Sequence, residues 1–445
     1  PMLNNYLFVE GRGDLVLENN GSNSDFFWQL NSDFPKENLA YLFRSEKERS
    51  LISNYGSLPV DGSLDLKDLI FHQSKQIRLL RKSGKSELKQ FNEISNKYNT
   101  QYIYWYSLFK KNNIKTFLSW YKYDSSHIVI KDAINSLGGV SAIWQIAFDG
   151  IKNFECRTYA DIMFSYSSHS LNLDLSLDSK IKYNVITGYP KDYSIELLKP
   201  SAKKLREGIL KSGAKYIVSV FDENSGGDER WHTGHALQQE NYSFLLEEML
   251  RDKQLGLIFK PKTPKTLFNR LGDVGLLLEK AIATGRCKVL LDSGMYTSIS
   301  SPVLVALASD LCIHGHLSAG TAALEAALSG TPTILIDREA SVKNKLRQLP
   351  LGIVRFNSWQ EAIYALRTYF QNKKIDNDFG NWESILDELD PYRDGLGAQR
   401  MGNYLNNIIQ GMNSNLNTGE AMERAAEIFS LEWGSDKIKV NRNMH

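Results

Sequence analysis

The first apolar run of the chain, residues 5–10 (NYLFVE), closes on Gly11-Arg12-Gly13-Asp14, the pattern of a buried strand meeting a tight loop. Similar short runs at 39–43 (LAYLF), 127–130 (HIVI), 143–148 (IWQIAF), 161–166 (DIMFSY) and 183–187 (YNVIT) predict further strands. Between them, residues 66–99 carry a charged helical pattern. Residues 101–120 gather Tyr102, Tyr104, Trp105, Tyr106, Phe109, Phe117 and Trp120 at a spacing that predicts core packing. Gly188-Tyr189-Pro190 then breaks the chain in a turn.

After Pro200 the rhythm becomes regular. Apolar runs at 215–221 (KYIVSVF), 255–260 (LGLIFK), 289–291, 311–314 and 333–337 alternate with helical patterns at 203–211, 242–253, 276–284, 302–309 and 322–329. Strands separated by helices of about ten residues imply a parallel, doubly wound sheet with right-handed crossovers. The first half is a noisier version of the same alternation. The chain therefore reads as α/β, with two Rossmann-like domains in tandem, 1–198 and 199–375. Amphipathic patterns at 359–369 and 403–409 predict helices, and residues 376–412 are expected to cross back onto the first domain. Residues 413–445 begin polar and turn helical, which reads as a tail or a linker into a further module.

Composition narrows the function. A chain of 445 residues is too long for one core and suits two. Lys+Arg number 53 against 51 Asp+Glu, a formal net charge of +2, so bulk attraction to nucleic acid is not expected. The basic residues between Arg78 and Lys89, and Lys110, Lys111 and Lys115, read as solvated helix faces. Cys156, Cys287 and Cys312 are widely spaced without a CxxC pair, which suits buried thiols in a reducing compartment. With no run of about 18 apolar residues, a cytoplasmic protein is expected, or one peripheral on the cytoplasmic face of the inner membrane.

The chemistry concentrates in residues 308–337, ASDLCIHGHLSAGTAALEAALSGTPTILID. A strand ending at His314-Gly315-His316 runs into a small-residue loop, Leu317-Ser318-Ala319-Gly320-Thr321, and a helix follows. Small residues let backbone N–H groups at a helix start approach an anion, and the helix dipole adds partial positive charge there. Ser318 and Thr321 add hydroxyls, and Glu325, one turn on, can accept hydrogen bonds from a diol. The same spacing also suits a plain βαβ unit whose small residues only allow tight packing.

This stretch resembles the donor-site signature of GT-B glycosyltransferases, a Ser/Gly-rich turn before a helix carrying Glu, then Gly-x-Pro and a strand. It is similar to the corresponding part of the enzyme that adds N-acetylglucosamine to lipid I, and of non-hydrolysing nucleotide-sugar epimerases. Thr187-Gly188-Tyr189-Pro190, Tyr392-Arg393-Asp394-Gly395 and Arg400-Met401-Gly402 resemble segments of bacterial surface-carbohydrate biosynthesis proteins of this fold. The strong part of the likeness covers residues 185–405. It implies a GT-B fold, two Rossmann-like doubly wound domains facing across a cleft: an acceptor domain, a nucleotide-sugar donor domain, and C-terminal helices crossing back. It also implies sugar transfer from a UDP-, dTDP-, GDP- or CMP-linked donor to a lipopolysaccharide, O-antigen or capsule acceptor. Ser318, Ala319, Gly320, Thr321, Glu325 and His316 would then bind donor, and His314 would face the cleft as a catalytic group.

Other residues extend the candidate site. Lys260 and Lys262 end a strand of the second domain, where a lysine can neutralise a leaving phosphate. Asn224 precedes a Gly226-Gly227 pair suited to a backbone nest for phosphate, with Arg230 nearby. Glu10 and Asp14, at the first strand's loop, are the expected bases across the cleft, ahead of His127, Asp149 and His169. Asp65, Asp174 and Asp178 form no metal box, so neither metal nor cofactor is expected. Two other readings stay open: a nucleotide-sugar epimerase or hydrolase of the same fold, and a non-catalytic glycan-binding module.

Overall fold

A computed structural model describes residues 5–11, 13–22, 24, 26, 28–63, 86–227, 234–295, 298–317, 320–339, 343–371 and 378–441. Two sheets organise them. The first contains β1 (Tyr6–Val9), β2 (Leu39–Phe43), β3 (Leu58–Asp61), β4 (Ile114–Ser119), β5 (Val140–Trp144), β6 (Tyr159–Ser165) and β7 (Lys180–Ile186). The second contains β8 (Tyr216–Phe221), β9 (Leu255–Lys260), β10 (Cys287–Val289), β11 (Leu311–His314), β12 (Thr333–Ile336) and β13 (Arg355–Phe356). A last strand, β14 (Ile438–Val440), returns to the first sheet.

The strand orders are β14-β7-β6-β5-β4-β1-β2-β3 and β10-β9-β8-β11-β12-β13. Every pairing is parallel except β14 with β7. Strands such as β5, β9 and β11 are buried along their whole length, because helices cover both faces of each sheet. This is the expected arrangement of two Rossmann-like domains. Each sheet reverses its strand order once, between β1 and β4 in the first and between β8 and β11 in the second.

Several local expectations are corrected. The HIVI run is not a strand but part of the helix Ser126–Asn135, where Val129, Ile130, Ala133 and Ile134 make one buried face. Four apolar residues have no period of their own, and the helix shows only over ten residues. The helix Ser86–Lys111 runs on into the aromatic stretch, where Trp105 and Phe109 pack with Phe8 and Phe117. Pro200 does not mark a linker. It lies inside the helix Ser194–Leu210, which packs on the second domain's helix Pro302–Leu307, so a cut at 198/199 would divide that helix. The chain crosses between domains at residues 187–193 instead.

Residues 413–441 do not run free of the first domain but pack on it. The helix Thr418–Trp433 opens with a capping box between Asn417 and Glu420 and buries Ala421, Met422, Ala425 and Phe429. With the helix Gly397–Asn413 it fills the first domain's core, beside Ile162, Phe164, Tyr183 and Val185. β14 then pairs along β7, covering an edge that would otherwise offer free N–H and C=O groups. Its three residues are too few to read from sequence.

The motifs flanking the crossover meet in space. The Asp390 carboxylate accepts from Tyr189 N–H at 3.0 Å and Tyr392 N–H at 3.1 Å. Arg400, fully buried, donates to Thr187 O at 3.2 Å and to Asp394. Its guanidinium stacks 3.5 Å over Tyr392 and 4.3 Å over Trp433. Gly188 sits at φ +79°, where a Cβ would lie 2.8 Å from Asp390 Oδ1, so this turn requires glycine. Phe148, Tyr166, Tyr189, Leu317, Leu324 and Trp382 share an apolar cluster that spans the two domains. Among the described residues no helix is long and apolar enough to cross a membrane.

Candidate functional site

In an open parallel sheet, ligands settle outside the C-terminal strand ends at the point where strand order reverses. Here both reversal points face the same space. A cleft of about 880 Å³ is lined from the first domain by Gly11, Gly13, Asp14 and Trp120, the ends of β1 and β4. Phe221, Asp222, Glu223 and Lys260, the ends of β8 and β9, line it from the second. Thr321, Ala322 and Glu325, on the helix Thr321–Leu328, complete the second wall.

Lys260 is the distinctive group of that wall. It is 7% exposed, lines the cleft, and has no ion pair or hydrogen bond from its ammonium among the described residues. Burial pushes its pKa down, while the charges of Glu325, Asp222 and Glu223 resist the shift. Glu325 is 6% exposed and its pKa is pushed up by burial, against Lys191, Tyr189 and Lys260. Its Oε1 accepts from the Tyr189 hydroxyl, and its Oε2 has no partner among the described residues. The wall thus holds a cation and a carboxylate oxygen, both short of partners.

The other basic groups are already engaged. Lys262 Nζ pairs with Glu223, while its backbone N–H donates to Asp222 Oδ1 at 2.6 Å. Asp222 is buried, and its Oδ2 takes the Gln238 amide at 2.6 Å and the Tyr242 hydroxyl at 2.9 Å. That network ties the end of β8 to Lys262 and to the helix His235–Arg251. Asn224, by contrast, is exposed and lies off the cleft.

The small-residue loop is only partly described. Ser318 and Ala319, like Arg230, lie outside the described residues. Gly320 is not part of the cleft wall: a Cβ there would lie 2.5 Å from Leu346 Cδ1, so its smallness serves packing. Thr321 Oγ1 accepts the N–H of Phe148 at 2.7 Å, a bond between the two domains, which leaves its O–H free to donate.

The two histidines turn inward. His314 is fully buried, off the cleft, with Nδ1 3.1 Å from His316 N and 2.9 Å from His316 O. Its Nε2 has no partner among the described residues, and burial pulls its pKa down to about 4. His316 is 3% exposed and lies 3.6 Å from Glu339. A strand's end says where a residue lies but not which face it takes, and here the alternation sends His314 into the interior.

On the first domain's side, Glu10 stands next to Gly11 but does not line the cleft. Asp14 does, yet its Oδ2 accepts the N–H of Met295 from the opposite domain at 2.9 Å. Asp149 also lines the cleft, 3.3 Å from the buried Lys122. His127 and His169 are held by backbone carbonyls, of Asp124 and Asp149 respectively. Sequence reasoning missed Lys191, which lines the cleft from the crossover just after the Thr187-Gly188-Tyr189-Pro190 motif. Among the described residues no group of three or more His, Cys, Asp or Glu is placed to hold a metal ion.

A two-domain α/β protein whose sheets open at their reversal points onto one shared cleft, lined by a buried lysine and carboxylate, has a doubly wound fold of the Rossmann class in each domain. No protein-family model matches the chain, and no curated protein matches it. Distant likeness exists among solved structures. Anabaena Alr3699/HepE in complex with UDP and glucose shares 14% identity at a TM-score of 0.49, over 92% of this chain and 99% of that one. A glycosyltransferase from Rickettsia africae ESF-5 shares 10% at 0.46, over 96% and 98%. UDP-GlcNAc 2-epimerase from Methanocaldococcus jannaschii shares 11% at 0.44, over 78% and 89%. Likeness this distant says nothing about the activity of the present chain.

Proposed function

We propose that the chain is a glycosyltransferase that moves a sugar from a nucleotide-sugar donor to a bacterial surface glycan or glycolipid, without a metal ion. One observation carries the reading: the buried Lys260, without a partner among the described residues, lines the interdomain cleft together with the N-terminal turn of the helix that carries Glu325. An unpaired buried ammonium costs free energy, and a phosphate bound beside it removes that cost. The N-terminal N–H groups of the helix add a second anion-attracting element. Glu325 Oε2, without a partner among the described residues, is suited to a sugar hydroxyl of the nucleotide.

In this reading Lys260 and the helix terminus stabilise negative charge on the departing nucleotide, and the first domain presents the acceptor hydroxyl. The shared cleft supports transfer, because domains that close on one another exclude the water that would otherwise compete as acceptor. The test is a donor screen by calorimetry with UDP-, GDP-, dTDP- and CMP-sugars, followed by product analysis with a glycan acceptor. Micromolar binding of one donor and acceptor-dependent release of its nucleotide are expected. Turnover of the nucleotide-sugar without any acceptor would turn the reading to an epimerase or hydrolase. Absence of nucleotide binding would leave a glycan-binding module.

A further inference from the structure

The loop after β5 is fastened to the second domain on both sides of a single residue. Phe148 N–H donates to Thr321 Oγ1 at 2.7 Å, and Gly150 O accepts Lys345 N–H at 2.9 Å. Gly150 closes against Asn344, where a Cβ would come within 2.7 Å of Oδ1. Between these two attachments stands Asp149, its side chain 17% exposed and lining the cleft. The loop therefore sets a first-domain carboxylate at the rim of the helix that carries Thr321 and Glu325.

The carboxylate is held from behind. Asp149 Oδ2 lies 3.3 Å from Lys122 Nζ, and the Cys156 thiol reaches Oδ1 at 3.8 Å. Lys122 is 5% exposed and lies 3.9 Å from a second buried carboxylate, Asp174. Burial pushes Asp174 up to about 6, against the pull of Lys122. Lys122 thus lies between two carboxylates, and its hydrogen bond to Oδ2 orients Asp149. Of the other cleft carboxylates, Asp222 belongs to its buried network, Glu223 pairs with Lys262 and Asp14 accepts Met295 N–H, while Glu325 stands on the second domain's wall, the donor side in this reading.

We propose that Asp149 is the general base of the transfer, with Lys122 as its positioning residue; the assignment rests on the glycosyl-transfer reading above. The acceptor O–H bond breaks and its proton passes to the Asp149 carboxylate. The acceptor oxygen bonds to the anomeric carbon as the bond from that carbon to the phosphate oxygen breaks. The electron pair leaves with the nucleotide. A single displacement of this kind inverts the anomeric carbon.

The experiment compares wild type with Asp149→Asn, Asp149→Glu and Lys122→Met, using the nucleotide-sugar selected by the donor screen. Asn is isosteric and leaves Lys122 paired with Asp174, so the variant is expected to fold. Asp149→Asn should bind the free nucleotide with wild-type Kd and lose about 10²–10⁴-fold in kcat at unchanged donor KM. Asp149→Glu should recover part of that loss, and should carry the test if Asn fails to fold. Lys122→Met should lower kcat without changing donor KM. Wild-type kcat in Asp149→Asn, a raised donor KM at unchanged kcat, or a product that retains the anomeric configuration would each overturn the assignment. Wild-type protein that binds no nucleotide would overturn the underlying reading as well, and is told apart by the binding measurement alone.

Discussion

The Tyr189 hydroxyl donates to Oε1 of Glu325, joining the crossover between the domains to the helix that lines the second domain's half of the cleft. Both side chains are buried, and Tyr189 is anchored in turn by its N–H to Asp390. The orientation of a cleft carboxylate is thus set by the segment that the two domains share. Tyr166 packs edge-on against Tyr189, with ring centroids 5.3 Å apart, and closes the seam behind it.

Tyr189→Phe removes that donor and leaves both Glu325 oxygens without partners. A loss of about 1–3 kcal/mol in stability is expected, the cost of an unsatisfied buried acceptor. Nucleotide affinity should fall by about tenfold as the carboxylate protonates or turns away, equivalent to about 1.4 kcal/mol. Urea unfolding and calorimetry on the same preparation check both. Unchanged affinity with full loss of stability would make the contact purely structural.

Lys260→Met separates a ligand-binding lysine from a structural one. Among the described residues no hydrogen-bond partner is orphaned by the change, and a buried charge is removed, so the melting temperature should hold or rise. Nucleotide affinity should drop by about 10- to 100-fold, the scale of one charge-assisted hydrogen bond. A lowered melting temperature with intact affinity would count against the cleft reading.

His314 provides a pH test. Burial, resisted by Glu223, lowers its pKa to about 4 from the usual 6.5. The folded state therefore prefers neutral imidazole, and the unfolded chain takes up a proton first as pH falls. The contribution to stability is fully present above about pH 6.5 and is lost as pH falls through 4. The size is up to about 3 kcal/mol. Thermal melts between pH 4 and 7 should show wild type losing more stability than His314→Gln. Parallel curves would show that His314 contributes nothing to the acid limb.

Chelation tests the proposed charge stabilisation. If Lys260 and the helix terminus suffice for the leaving phosphate, transfer should run at full rate in excess EDTA. Loss of activity that Mn²⁺ or Mg²⁺ restores would show that a cation shares the task.

The second domain was legible because its strands are buried on both faces. Residues 216–221 and 255–259 read as mostly apolar runs between helices, and no partner information is needed to see them. The first domain was less so. β3, with Pro59 inside it, and β14 are defined by pairing with distant strands and not by their own pattern. Thr321, Glu325 and Lys260 belong to contiguous motifs, and they lie on the cleft. Asp149 with Lys122, or Tyr189 with Glu325, come from segments that only the folded chain brings together. Gly320 was misleading because a small residue serves a tight side-chain contact as readily as an anion.

The return of β14 and the helix Thr418–Trp433 to the first sheet has a consequence for the order of synthesis. All strands of the second sheet fall between Tyr216 and Phe356, so that domain can condense as it leaves the ribosome. The first cannot. Tyr183 and Val185 lack their cover until Tyr404, Ile408 and Phe429 have emerged, more than 200 residues later. The domain made first is thus completed last, and during that interval its apolar face and open β7 edge are where chaperones would bind.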